Sequence, residues 1–257
     1  MNVILPCAQA ILYTLLDLMP SPYQRLSLIA SFALFFEPSN GRMLPEHSVI
    51  KSPAAVSRFF NRYGWPTRAV IRATRQQIIL QLNKFAETGR RPYLQVMIDL
   101  TTLEKRGKFK AFGGLIQSLN HTHGLHIVVM YLVVGQFVIS TRPLKGTTIT
   151  WWGRRRWAIE GFFKTANYQF GLASFGQQTL LGVYRWLILC LISFVLVHGV
   201  YLSSTPQQPP QWRQASSLAL ELLMPWIVVS QLLLDIERKR DLLASLNLKL
   251  ELSPLVT

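Results

Sequence analysis

Two carboxylates sit where chemistry could be done. Asp99 follows an apolar, β-like run (YLQVMI, 93–98), a placement that holds a side chain rigidly at the edge of a sheet. Glu160 lies in RRRWAIEGFFK (154–164), where steps of four and seven bring Arg156, Glu160, Lys164 and Asn167 onto one helical face. Oxygen ligands of this type suit a hard divalent cation. Taken singly, each acid also has a plainer role. Asp99 can be a turn residue that ends a strand, and Glu160 a rung in a charge ladder between Arg156 and Lys164.

A second chemistry belongs to the cations. Ser52-Pro53 opens a helix, with Ser as N-cap and Pro in the first helical position. The stretch AAVSRFFNRY (54–63) then breaks at Gly64-Trp65-Pro66, and a second helix follows with Thr67 as its N-cap, to about Phe85. Two helices joined by a short Gly-containing break resemble a helix-turn-helix. Arg58, Arg62, Arg68, Arg72, Arg75 and Lys84 decorate the pair, and no acid occurs between Glu46 and Glu87. Such an unopposed positive stripe suits neutralising phosphates. Arg154 and Arg155 add further positive charge beside Glu160. The whole chain of 257 residues has 27 Lys and Arg against 12 Asp and Glu, a formal net charge of +15. A globular chain that basic meets a polyanion, either nucleic acid or an anionic membrane surface.

Other side chains offer less. His121 and His123 would share a strand face while His126 falls on the opposite one, which splits the three histidines as a metal site. Cys7 and Cys190 are far apart in apolar surroundings and read as reduced core thiols of a cytoplasmic protein. Phosphate-loop, dinucleotide-turn and nucleophile-elbow signatures are absent.

The elements that would position these groups fall into three stretches. Residues 1–91 read as helical and form the expected DNA-binding region. Its first 19 residues contain Asp17 and lack a basic leader pattern, so they read as part of the fold. Residues 92–202 begin with strand-like runs at 93–98, 115–119, 126–134 and 137–140, then turn helical from Trp151, with a long apolar helix at 177–198. Residues 203–257 hold a Pro- and Gln-rich linker and helices at 216–234 and 235–246. Helices, then strands, then helices imply an α/β or α+β core with a helical front end. The run 186–202 (WLILCLISFVLVHGVYL) lies just short of the about 20 apolar residues a membrane span needs. A buried core helix explains it at lower cost.

Taken together, the carboxylates and their neighbours resemble the DDE transposases of bacterial insertion sequences, which have a ribonuclease-H-like core. In that family a first Asp follows a strand, as in Val96-Met97-Ile98-Asp99, and a final Glu lies on a helix in a Tyr-x2-Arg-x3-Glu-x6-Lys signature. Arg156-Trp157-Ala158-Ile159-Glu160 followed by Phe162-Phe163-Lys164 looks like the core of that signature, and GVYRWLILCL (182–191) looks like the helix after it. The resemblance implies an α/β fold with a mixed sheet flanked by helices. It also implies Asp99 and Glu160 as metal ligands and catalytic residues with Arg156 beside them, and two Mg²⁺ or Mn²⁺ ions driving strand cleavage and transfer. The implied partner is double-stranded DNA at element ends, bound by a homodimer.

The departures matter as much as the match. Gly153 stands at the signature's Tyr position and Asn167 at its Lys position. The family's second Asp is missing, since no Asp or Glu occurs between Glu104 and Glu160. The stretch from Asp99 to Glu160 is also short for a family that fits several more strands there. The strand-like pieces meet near Gly135-Gln136-Phe137 with almost no turn, and we read an internal deletion at that junction. The expectation is an incomplete ribonuclease-H-like sheet on a chain that binds DNA without cutting it. Two alternatives stay open: a regulatory DNA-binding module using only the N-terminal helices, and a basic membrane protein anchored by 186–202.

Overall fold

In the computed structural model of the chain, the described residues are 4–37, 48–87, 93–104, 116–119, 121–135, 159–177, 179–204 and 211–248. Four helices come first: α1 (Ile4–Asp17), α2 (Pro22–Phe36), α3 (Pro53–Asn61) and α4 (Thr67–Glu87). Ser21 and Ser52 cap α2 and α3, each hydroxyl accepting from a backbone N–H at 3.3 Å, with proline just inside each helix. Three strands follow, β1 (Tyr93–Glu104), β2 (Ile116–Leu119) and β3 (Thr122–Gly135). Next come α5, described over 159–168, then α6 (Leu180–Ser204), α7 (Trp212–Leu223), α8 (Pro225–Arg238) and α9 (Arg240–Ser245). The fold is mixed α/β, mostly helical, with a small three-stranded antiparallel sheet.

The apolar helix α6 is the centre of the core, because its mostly apolar sequence can face neighbours on nearly every side. Trp186 packs its ring 4.8 Å from Phe35 of α2 and 5.5 Å from Phe60 of α3. About two turns further on, Phe194 meets Phe162 of α5 at 4.9 Å and Trp212 of α7 at 5.0 Å. A single buried cluster therefore draws on α1 to α8 and reaches Leu103 of the sheet. Helix α6 is long and apolar enough to cross a membrane, and 61% of its most apolar stretch is buried inside the protein. That burial is what a core helix requires.

The sheet has the order β1-β3-β2, with Asp99 opposite Val129 and Leu103 opposite Leu125. Alternation puts Asp99, Thr101 and Leu103 on the face toward the core, where Leu125, Ile127 and Val129 also pack. The other face leaves Ile98, Leu100 and Val128 exposed. Gly124 sits opposite Glu104, and a side chain there would strike the Leu103 carbonyl, so glycine permits the close approach of β1 and β3.

Several boundaries differ from the sequence reading. Strand β1 does not stop at Asp99 but runs on to Glu104, because Leu100 to Leu103 keep the in-out alternation and pair with β3. Asp99 is therefore inside a strand rather than at its end. Glu104 is the last residue of that strand. The helix expected over 216–234 is two helices bent by 102° at Met224-Pro225, since proline starts α8 and cannot continue α7. The expected strand at 137–140 lies outside the described residues, as does the junction read as a deletion beyond Gly135.

Candidate nucleic-acid interface and the carboxylates

Helix α3 buries Ala55, Val56, Phe59 and Phe60, a helical-period stripe that leaves Arg58 and Arg62 on the exposed side. After the turn at 62–66, α4 buries Val70 and Thr74, and Arg68, Arg72 and Arg75 are exposed at steps of four and three along one face. The ion pairs among the described residues are Arg25–Asp17, Arg238–Asp235 and Arg240–Glu237, so none of these five arginines is neutralised by one. Lys84 lies on α4, and its side chain is outside the described atoms, as are Arg154, Arg155 and Arg156 as whole residues.

The turn between the helices is built around two aromatic groups and one cation from elsewhere in the chain. Trp65 stacks on Phe59 at 5.1 Å, and its indole donates to the Phe59 carbonyl at 2.9 Å. Arg185 of α6 reaches into the same turn and is buried. Its Nη1 donates to the carbonyls of Phe59, Phe60 and Tyr63 at 3.2, 3.1 and 2.8 Å, and its Nη2 to that of Trp65 at 3.1 Å. Its Nε donates to the Thr67 hydroxyl at 2.9 Å, and the guanidinium lies 4.2 Å over the Trp65 ring. These carbonyls include those that the end of α3 leaves without a helical donor, and a cation there also complements the helix dipole. Burial pushes the guanidinium down to about 10, which still leaves it charged at neutral pH.

The sequence reading missed this residue. In the sequence, Arg185 stands out only as part of GVYRWLILCL, and Thr67 as a helix cap. In the fold, the Thr67 hydroxyl serves Arg185 and lies 3.5 Å from the Trp65 carbonyl. The one available signal was a lone cation beside a long apolar helix with no acid near it in sequence. A second joint reinforces the first, because Asn61 at the end of α3 bonds Gln177 and Thr179, and Thr179 caps α6 through the Gly182 N–H at 3.0 Å.

The carboxylates are arranged less tightly. Asp99 is half-buried, and its Oδ1 accepts from the Leu100 N–H at 2.8 Å. Helix α5 buries Ile159, Phe162, Phe163 and Ala166, which turns Glu160 and Lys164 to the exposed side. Among the described residues, no group of three or more His, Cys, Asp and Glu could hold a metal ion. The histidines are differently placed from the sequence reading. His121 lies in the β2–β3 turn with φ 64°, so it does not share a strand face with His123. His123 meets Ser118 at 3.1 Å, and His126 meets Thr102 at 2.8 Å across the strands.

The chain matches no family model, no curated protein and no solved structure. What the arrangement can do is clearest at α3 and α4, where a rigid turn presents five exposed guanidinium groups. Arginine side chains of this kind bind phosphate oxygens by paired, charge-assisted hydrogen bonds.

Proposed function

We propose that this chain binds duplex DNA through α3 and α4, and that it derives from a DDE-type insertion-sequence transposase whose cutting activity it has lost. The observation that carries the DNA-binding reading is the set of exposed arginines at 58, 62, 68, 72 and 75 on two helices held by one turn, none in an ion pair among the described residues. Each can neutralise a backbone phosphate and release counterions, a source of affinity that needs no particular base sequence.

The descent from a transposase rests on the resemblance around Asp99 and Glu160. On that reading β1 and β3 are what remains of a ribonuclease-H-like sheet, and the exposed Ile98, Leu100 and Val128 mark an apolar face left without cover. The chain carries no acid where the family's second Asp falls, so on this reading its carboxylates fall one short of a two-metal set. No cutting step is assigned to it. Titration of a labelled duplex across a salt series tests the binding.

A further inference from the structure

Beside the arginine stripe lies a cluster that the sequence reading did not single out. Tyr23 stands in the first turn of α2, Lys51 just before the cap of α3, Arg58 on α3, and Tyr63 in the turn that follows. The Lys51 ammonium is 3.4 Å from the centre of the Tyr23 ring. The Tyr23 and Tyr63 rings meet edge-on at 5.9 Å, and the Tyr63 N–H donates to the Arg58 carbonyl at 3.0 Å, which ties Arg58 to the pair. No ion pair among the described residues includes Lys51 or Arg58.

We infer that Lys51, Arg58, Tyr23 and Tyr63 form a phosphate-binding site that takes one backbone phosphate of the duplex. The inference rests on the reading that α3 and α4 meet DNA, and it adds a site at the edge of their stripe, with Arg58 common to both. Two cations are gathered around two phenols with no carboxylate among the described residues paired to either, which favours an entering anion. The donors are an ammonium, a guanidinium fork and phenolic O–H groups, matched to an anion with several acceptor oxygens. Tyr23 is 44% exposed and Arg58 is exposed, so the site is open to a ligand. The electrostatics agree. A side-chain hydrogen bond with Arg58, followed by one with Tyr23, holds the Tyr63 phenol below its ordinary range, and burial holds Lys51 below its own.

The test is a titration of the full chain, labelled at tyrosine Cζ, with inorganic phosphate, against sodium chloride at matched ionic strength. Tyr23→Phe and Tyr63→Phe assign the two signals. The site requires both signals to move saturably with phosphate, and the movement to vanish in Lys51→Gln. The same Lys51→Gln chain should lose about one unit from the slope of log affinity for duplex against log salt. Signals that respond equally to phosphate and chloride overturn the site, even in a chain that binds duplex. Saturable movement in a chain that fails to bind duplex leaves a phosphate site standing and removes the DNA reading. Saturable movement with an unchanged duplex slope overturns the assignment to the DNA backbone and points to free phosphate.

Discussion

Arg185 and Trp65 form a cation–aromatic pair, with the guanidinium 4.2 Å over the ring, deep between α6 and the α3–α4 turn. The pair makes the geometry of the basic face depend on a helix far along the chain. The partners of Arg185 are all neutral, four carbonyls and one hydroxyl, so it acts as a multiple donor and not as half of an ion pair.

Replacing it should therefore be costly. Arg185→Met is expected to destabilise the fold by at least about 3 kcal/mol, since each buried carbonyl left without a donor costs about 1–3 kcal/mol. Arg185→Lys should recover only part of this, because an ammonium cannot copy the planar fork. Urea melts of the two variants check the order. A wild-type midpoint in Arg185→Met would contradict the structural role.

Truncation after Arg91 follows the same logic. The fragment loses Trp186, which packs on Phe35 and Phe60, together with every donor that Arg185 supplies. It should lack a cooperative melt and bind duplex far more weakly than the full chain. A fragment that melts cooperatively and keeps full affinity would instead support a free-standing DNA-binding module.

His198 gives a pH signature. It lies among Phe194, Trp212 and Tyr201, with ring centres 5.6, 5.7 and 6.4 Å away, and burial holds it below its ordinary 6.5. The unfolded chain then binds the proton more readily than the folded one. Its contribution to stability is complete above about pH 6.5 and is lost as pH falls through that value toward the depressed folded one. The melting temperature should fall between about pH 7.5 and about pH 5, and His198→Phe should flatten part of that fall. Identical pH profiles for the two chains would show that burial does not matter there.

Cutting is the other expectation. Incubated with supercoiled DNA and Mg²⁺ or Mn²⁺, the chain should nick no faster than Asp99→Ala, because a carboxylate set short of one member loses the ions that activate the attacking oxygen. Metal-dependent nicking that disappears in Asp99→Ala would restore the catalytic reading.

What was legible in the sequence is local. Ser52-Pro53 announced the start of α3, Gly64-Trp65-Pro66 its turn, and the β-like runs the three strands, because caps, breaks and alternation are written in adjacent residues. Long-range partnerships were not. Nothing next to Arg185 tells that it reaches Thr67 and four carbonyls from 59 to 65, and nothing next to Lys51 tells that it lies over Tyr23. Pro225 was visible, yet an apolar pattern running through it suggested one helix where the chain makes two. The apolar run 93–98 placed Asp99 at a strand's end, whereas β1 continues to Glu104, an extension that only its pairing with β3 defines.

The most direct test compares duplex affinity of the full chain with that of Arg68→Gln/Arg72→Gln/Arg75→Gln across a salt series. Five arginines on phosphates contribute about −4 to −5 to the full chain's slope of log affinity against log salt, and the variant should be about three units shallower. A folded full chain that fails to bind, or a variant with the same affinity and slope, would contradict the account.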